Sequence, residues 1–318
     1  MDLNGDGHND VISGSYWPGH IFIFEGRGDG KFAKGYELCD EQGKKLHAGW
    51  PWESDRKPDM DSLASAPHAI DYDCDGDLDL LVGNIAGRVI LICNEGTAKE
   101  PKFSQERQAL KADGRTIKVL GGDTGPTTVD WDGDGLWDLI VGAGDGSVQL
   151  YRNTGTDKQP EFAAAQKLLR KSSQGYRKLN HDEEPTWHGL RVKVCAVDYN
   201  CDGLLDLLVG DLARVKQPEP ELTEEQKADR KRLRKEYNEC RRELSELNRK
   251  YRDDPKKRDA ETKELRGRSS ELFVKLRPLQ ARNEPTGWVW LYLQKPTQEA
   301  SATDSGKKSG SGSGSVRR

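Results

Sequence analysis

Hydrophobic residues in this chain gather into short runs that end on glycine or a polar turn. Four of them, Val11-Ile12-Ser13-Gly14, Leu80-Leu81-Val82-Gly83, Leu139-Ile140-Val141-Gly142 and Leu207-Leu208-Val209-Gly210, are rich in β-branched residues and too short for helices, so each predicts a strand. After a turn comes a second apolar segment with period-2 alternation: His20 to Phe24, Arg88 to Ile92, Ser147 to Tyr151 and, much later, Trp288 to Tyr292. Shorter apolar stretches, Ala69-Ile70, Thr128-Val129 and Val192 to Val197, precede three of the four runs. No stretch approaches the roughly 18 unbroken apolar residues of a membrane span, which excludes an integral membrane protein for these residues.

A polar nonapeptide leads into every run: Asp2 to Asp10, Asp71 to Asp79, Asp130 to Asp138 and Asp198 to Asp206. The copies recur every 60 to 70 residues or so, too long for small solenoid repeats and suited to a four-stranded antiparallel unit, which is the size of a propeller blade. Two copies continue alike, with Asn94-Glu95-Gly96-Thr97 before Pro101-Lys102-Phe103 and Asn153-Thr154-Gly155-Thr156 before Pro160-Glu161-Phe162. The first element of each predicts a turn, and the Pro-x-Phe predicts the start of an edge strand.

The nonapeptides carry the candidate chemistry. Position 1 is Asp2, Asp71, Asp130 and Asp198; position 3 is Asn4, Asp73, Asp132 and Asn200; position 5 is Asp6, Asp75, Asp134 and Asp202. Glycine at position 6 lets the backbone reverse, so that the carbonyl of position 7 (His8, Asp77, Leu136, Leu204) and the carboxylate of position 9 (Asp10, Asp79, Asp138, Asp206) can complete a shell of hard oxygen donors. Six to eight such donors in a flexible cage select calcium; magnesium demands a stricter octahedron. An EF-hand loop opens alike but closes with Glu at position 12 between helices, and these loops close with Asp at position 9 beside strands. Turn preference alone explains single positions, but not four clusters of carboxylates that would repel one another without a cation. The metal reads as structural, since no nucleophile elbow, P-loop, HExxH or kinase motif accompanies it.

The pattern D-x-[DN]-x-D-G-x-x-D-[LIV], then V-G, then G-x-V-x-L-Y-x-N-x-G, resembles the FG-GAP/VCBS repeat family, which is similar to the integrin α-subunit propeller. The resemblance implies an all-β propeller, here with about four recognisable blades, calcium in the Asp-rich loops, and an extracellular or periplasmic setting. It implies no single activity. The expectation is a secreted or periplasmic calcium-binding module that binds or adheres to protein or glycan ligands and is not an enzyme; the alternative is a polysaccharide lyase or hydrolase built on the propeller.

The remaining sequence adds one insertion. Thr223-Glu224-Glu225-Gln226 is a capping box, and Leu233, Tyr237, Cys240, Leu244, Leu247 and Tyr251 follow at helical spacing; Asp253-Asp254-Pro255 breaks the helix, and Leu265, Leu272, Leu276 and Leu279 mark a second. The organisation expected is blades over 1–217, an antiparallel helical hairpin over 218–283, a last strand over 284–296, and a disordered Ser/Gly/Lys-rich tail over 297–318. Copy one has only Met1 where the others have a preceding strand, which suggests a missing N-terminal segment that would have carried the export signal.

The 318 residues bound the chain to one or two domains, and 34% hydrophobic against 33% charged residues is polar, yet 8 Trp, 9 Tyr and 34 Gly do not suit a disordered chain. A net charge of -4 argues against a nucleic-acid binder. Between Glu219 and Leu279, 19 basic residues against 15 acidic make the hairpin mildly basic, as solvated helix faces commonly are. The six cysteines are scattered without a CxxC pair, so a zinc site is not expected. His68 and His188 read as hydrogen-bonded residues at the start of a blade; Trp17, Trp50, Trp52 and Trp187 read as packing residues with the alternative of stacking on a sugar.

Overall fold

The computed structural model describes residues 1–49, 60–173 and 178–295, which leaves Trp50, Trp52 and the C-terminal tail outside the described residues. The chain divides into two compact units, one of residues 1–176, 186–213 and 287–318, the other of 177–185 and 214–286.

The first unit is a succession of antiparallel sheets, each with one nonapeptide leading into one of its strands. The first sheet orders β1 (Val11–Gly14), β2 (Ile21–Phe24) and β3 (Tyr36–Glu37). The second orders β4 (Ala66–Ile70), β5 (Asp79–Gly83), β6 (Val89–Ile92) and β7 (Gln108–Ala109), and a small hairpin of β8 (Lys111–Ala112) and β9 (Arg115–Thr116) follows. The third repeats the second with β10 (Gly125–Val129), β11 (Asp138–Gly142), β12 (Val148–Tyr151) and β13 (Gln166–Leu169). After β14 (Lys178–Asn180), which belongs to the second unit, the fourth pairs β15 (Leu190–Val197) and β18 (Val289–Tyr292) on either side of β16 (Asp206–Lys216).

Central strands are buried on both faces, as their unbroken apolar sequence requires: every residue of β5, β6 and β11 is buried. Alternate side chains split between two layers. Leu80, Val82, Ile90 and Ile92 of the second sheet meet Ile21 and Ile23 of the first, while Leu81, Val89 and Leu91 meet Leu139, Val141 and Tyr151 of the third. Ile140, Val148 and Leu150 then meet Leu207, Val209 and Trp290 of the fourth. Truncating one of these side chains to alanine is expected to cost about 2–5 kcal/mol.

Glycine ends β1, β5 and β11 for a steric reason. A Cβ on Gly14, Gly83 or Gly142 would lie 1.9, 2.3 or 2.4 Å from the carbonyl oxygen of Ser65, Thr124 or Val192, a backbone atom of the following sheet.

The Pro-x-Phe elements do not begin edge strands. Phe103 and Phe162 make isolated bridges to Asn94 and Asn153 and are buried, and the edge strands start further on, at Gln108 and Gln166. The Asn side chain supplies the turn: Asn94 Oδ1 accepts from Gly96 N and Lys102 N at 3.0 and 2.7 Å, and Asn153 Oδ1 from Gly155 N and Glu161 N at 3.0 and 3.1 Å.

The second unit contains α1 (Glu224–Lys250), α2 (Pro255–Leu276) and β17 (Asn283–Thr286). The capping box forms, with Gln226 N donating to the Thr223 side chain and Thr223 N to Gln226 Oε1 at 3.3 and 3.0 Å. Cys240, Leu244 and Leu272 form the helix-to-helix core with Leu233, Tyr237 and Leu265 at its margin. β16 runs on to Lys216, past the expected end near Asp211, because its extension pairs with β14 in parallel over Arg214 to Lys216. Gln217 N donates to Arg282 O at 2.7 Å, so the two ends of the hairpin meet.

Candidate metal centres

All four nonapeptides fold onto their first residue. The position 1 carboxylate accepts the backbone N–H groups of positions 5 and 6: Asp2 from Asp6 and Gly7, Asp71 from Asp75 and Gly76, Asp130 from Asp134 and Gly135, Asp198 from Asp202 and Gly203, at 2.8–3.1 Å. The position 5 carboxylate accepts the N–H of position 7, in His8, Asp77, Leu136 and Leu204, at 2.8–3.0 Å. This winding needs left-handed backbone twice. Position 6 is glycine at φ from 86° to 96°, and position 4 is Gly5, Cys74, Gly133 or Cys201 at φ 65°, 58°, 77° and 58°.

In the second and third loops the winding brings one oxygen each of Asp71, Asp73 and Asp75, and of Asp130, Asp132 and Asp134, within 4.8 Å of one another. In the first and fourth loops, Asn4 and Asn200 stand at position 3; their side-chain oxygens accept from Asp6 N and Asp202 N, and Asn200 Nδ2 also donates to Asp202 Oδ2 at 2.8 Å.

Position 9 has a task that spacing did not foretell. Asp10, Asp79, Asp138 and Asp206 are buried, and each uses both oxygens to tie position 2 of its loop to the residue just past the next strand. Asp79 accepts from Tyr72 N and Asn94 N at 3.0 and 2.7 Å, Asp138 from Trp131 N and Asn153 N at 3.3 and 2.7 Å, and Asp10 and Asp206 make the same pair of bonds. None of the four joins the three-carboxylate groups. Each oxygen still has a second lone pair to offer.

The electrostatics differ between loops. Burial, outweighing its two N–H bonds and reinforced by Asp73 and Asp77, pushes Asp79 up to about 6. Burial, with Asp75, Asp73 and Asp71 behind it, also raises Asp77, whose Oδ1 is buried without a hydrogen-bond partner. In the third loop burial raises Asp138 too, but Arg152 ion-pairs with Asp132 and holds its Nε 3.9 Å from Asp138 Oδ2. These carboxylates fit a hard cation: oxygen is the only donor type, three are already convergent, and one buried oxygen lacks a partner.

The histidines take other roles. His68 Nε2 lies 2.8 Å from Thr128 Oγ1, and burial lowers its pKa to about 4. His188 is fully buried, with Nδ1 2.6 Å from the Tyr292 hydroxyl and Nε2 2.7 Å from Gly146 O. His20 faces Glu37 at 2.7 Å, and His181 approaches Asp182 at 3.8 Å.

A second cluster lies at the strand ends away from the acidic loops. Tyr16 and Trp17 follow β1 and are 52% and 61% exposed. The Arg191 guanidinium stands 5.3 Å over the Tyr16 ring, and its Nε pairs with Asp123 Oδ2 at 3.2 Å. Lys193 Nζ donates to Asp123 O at 2.9 Å, and burial lowers its pKa against the pull of Asp123. Sequence reasoning picked out Trp17 but missed Arg191, Lys193 and Asp123, which lie far apart in the chain and carry no motif.

Stacked antiparallel sheets, each carrying an acidic loop of fixed winding, define a repeat protein. The chain belongs to the FG-GAP-like repeat family, whose model matches residues 2–82 and 130–209, about half of its length. No curated protein matches it significantly. A chain of the Photorhabdus luminescens Tc holotoxin pore, solved with a mutation in TccC3, is similar at 16% identity with a TM-score of 0.34, over 66% of this chain and 8% of that one. The present chain therefore spans a small fraction of that protein's length. No helix among the described residues is long and apolar enough to cross a membrane.

Proposed function

We propose that this chain is a bladed propeller module held together by calcium, with Asp71, Asp73 and Asp75 as the foremost ligands, and that it binds protein or glycan ligands without catalysing a reaction. The convergence of three carboxylate oxygens within 4.8 Å, in two loops of identical winding, carries the reading. Membership of the FG-GAP-like family supports a repeat-built module of the binding or adhesion type. Asp77 through its backbone carbonyl and Asp79 through its carboxylate would extend the shell, and the same positions would serve in the other loops.

The cation supplies charge neutralisation for carboxylates that otherwise repel, so the protein's own task is to hold the loop wound before the ion arrives. The N–H bonds to Asp71, Asp75 and Asp79 do this. Tyr16, Trp17 and Arg191 are the ligand-contacting group in this reading, an aromatic surface beside a guanidinium.

An extracytoplasmic setting fits this reading, because the millimolar calcium found there would fill even weak loops. The six free cysteines, three of them exposed, weigh against that setting, since an oxidising compartment favours disulfides. The deciding experiment is calorimetric titration of the metal-free chain with calcium, followed by melting with and without EDTA. Saturable uptake with a raised Tm is expected; no heat and an unchanged melting curve overturn the reading.

A further inference from the structure

The basic excess of the helical hairpin is not spread evenly. Lys227, Arg230 and Arg234 recur at spacings of three and four along the first half of α1, so they share one face of the helix. With Lys216, at the end of β16, they line a cavity of about 560 Å3 at the base of the hairpin, which Gln280 and Asn283 of the returning chain also line. All of these residues belong to the second unit.

Charge on the walls of this cavity is unbalanced. Four cations stand against one carboxylate, that of Glu219, which leaves +3. Glu219 turns one oxygen to Lys216 at 3.5 Å and the other to Arg230 at 3.2 Å, while Lys227 reaches out to Glu224 at 2.7 Å. Arg234 has neither an ion pair nor a side-chain hydrogen bond among the described residues. Like charges three and four residues apart destabilise a helix, and surface ion pairs such as those of Glu219 return little.

The polar groups are of one kind. Apart from Glu219, the charged side chains on the walls are donors, and the amides of Gln280 and Asn283 add N–H groups to them. Guanidinium groups meet an oxyanion through two parallel bonds, and ammonium groups meet it as point charges. Glu219 itself marks where an anion is held, because its carboxylate stands between two of the four cations.

We propose that this cavity binds a phosphoryl group, an oxyanion of two negative charges, with Arg234 as its first contact and Lys227 and Arg230 beside it. A dianion offsets walls of +3 more fully than a single carboxylate does, and its oxygens accept from every side. Bound there, the group ties together the end of β16, the first turns of α1 and the returning chain at Gln280 to Asn283. The site lies in a different unit from the acidic loops and from Tyr16 and Arg191, so the inference rests on neither reading above.

Calorimetric titration of the full chain with methyl phosphate tests it, at about pH 8 where the group is a dianion, at low salt, and in EDTA so that calcium takes no part. One saturable site with a Kd below about 1 mM is expected. Arg234→Gln should weaken it about tenfold, and Glu219→Gln, which removes the competing carboxylate, should tighten it about threefold. Arg241→Gln takes the same charge from an exposed position further along α1 and should leave the affinity unchanged. Should Arg234→Gln lose helical circular dichroism, Lys227→Gln probes the same wall. Inorganic phosphate separates the sources: tighter binding than methyl phosphate assigns the free anion, and weaker binding assigns the head of a phosphate ester. No saturable binding by the wild type, equal losses in Arg234→Gln and Arg241→Gln, weaker binding by Glu219→Gln, or tighter binding of a tetraglutamate peptide than of either phosphate would each overturn the proposal.

Discussion

The second and third loops share one winding and the same three-aspartate cluster, yet they sit in opposite fields. Around the second stand Asp77 and Asp79, both raised by burial and by neighbouring loop carboxylates, with Cys93 just past β6. At the matching place past β12 the third loop has Arg152, which pairs with Asp132, and its position 7 is Leu136. One loop is thus left with surplus negative charge, while the other already holds a cation of its own. Identical backbone geometry does not make identical sites; the residue one strand away decides how much work remains for a metal.

The largest effect expected is on calcium-dependent stability. A site adds about 2.7 kcal/mol at a hundredfold excess of calcium over its Kd. Asp71→Ala should abolish most of the Tm difference between calcium and EDTA, and Asp130→Ala should abolish far less. Equal losses in scanning calorimetry would break the comparison. In EDTA the order should reverse, because Asp130 holds three backbone N–H groups, those of Gly133, Asp134 and Gly135, against two for Asp71, and Asp71 is repelled by its neighbours.

Arg152→Leu sharpens the contrast from the other side. Freed of its internal cation, the third loop should bind calcium about tenfold more tightly, about 1.4 kcal/mol, as read by titration calorimetry. Without calcium the same variant should melt lower than wild type. Unchanged affinity would mean that Arg152 does not compete for the ion.

Acidity separates two groups close to the second loop. His68, lowered from 6.5 to about 4, contributes stability that is complete above pH 6.5 and is lost as pH falls through 4, because the unfolded chain takes up the proton first. Allowing for its partial exposure, this amounts to about 2 kcal/mol. Asp79, raised from 3.8 to about 6, has the opposite sign in the metal-free protein: its contribution is present below pH 3.8 and lost as pH rises through 6. The two trends offset each other between pH 4 and 6. Chelated His68→Asn should therefore gain stability on acidification where the wild type stays nearly flat, as denaturant melts at pH 6.5, 5 and 4 would reveal.

The smallest effect belongs to position 4. Cys74→Gly and Cys201→Gly relieve about 1 kcal/mol of left-handed strain and add a similar entropy to the unfolded chain, so urea midpoints should move by less than about 0.5 kcal/mol. The third loop, with Gly133 already there, needs no such change.

Much of this arrangement could be read from the sequence, for stated reasons. The four nonapeptides and the glycine-terminated strands are local patterns, and local hydrogen bonds fix their geometry. The helical hairpin was legible through its capping box and leucine spacing. What escaped depends on residues distant in sequence. The second anchor of Asp79 is an N–H 15 residues on, the Arg152 to Asp132 pair spans two strands, and Arg191 reaches Tyr16 from another sheet. The misplaced edge strands had a different cause: an Asn side chain had already closed the turn, so Phe103 and Phe162 served as plugs before pairing began.

The glycine notches at Gly14, Gly83 and Gly142 give the stack a mechanical character. A carbonyl of one sheet sits where the previous sheet lacks a methyl group, so neighbouring sheets are keyed together by backbone and resist sliding along their strands. Force applied to one sheet passes to the next through rigid main chain rather than through side chains that can change rotamer. A single added methyl at Gly83 would disengage the key.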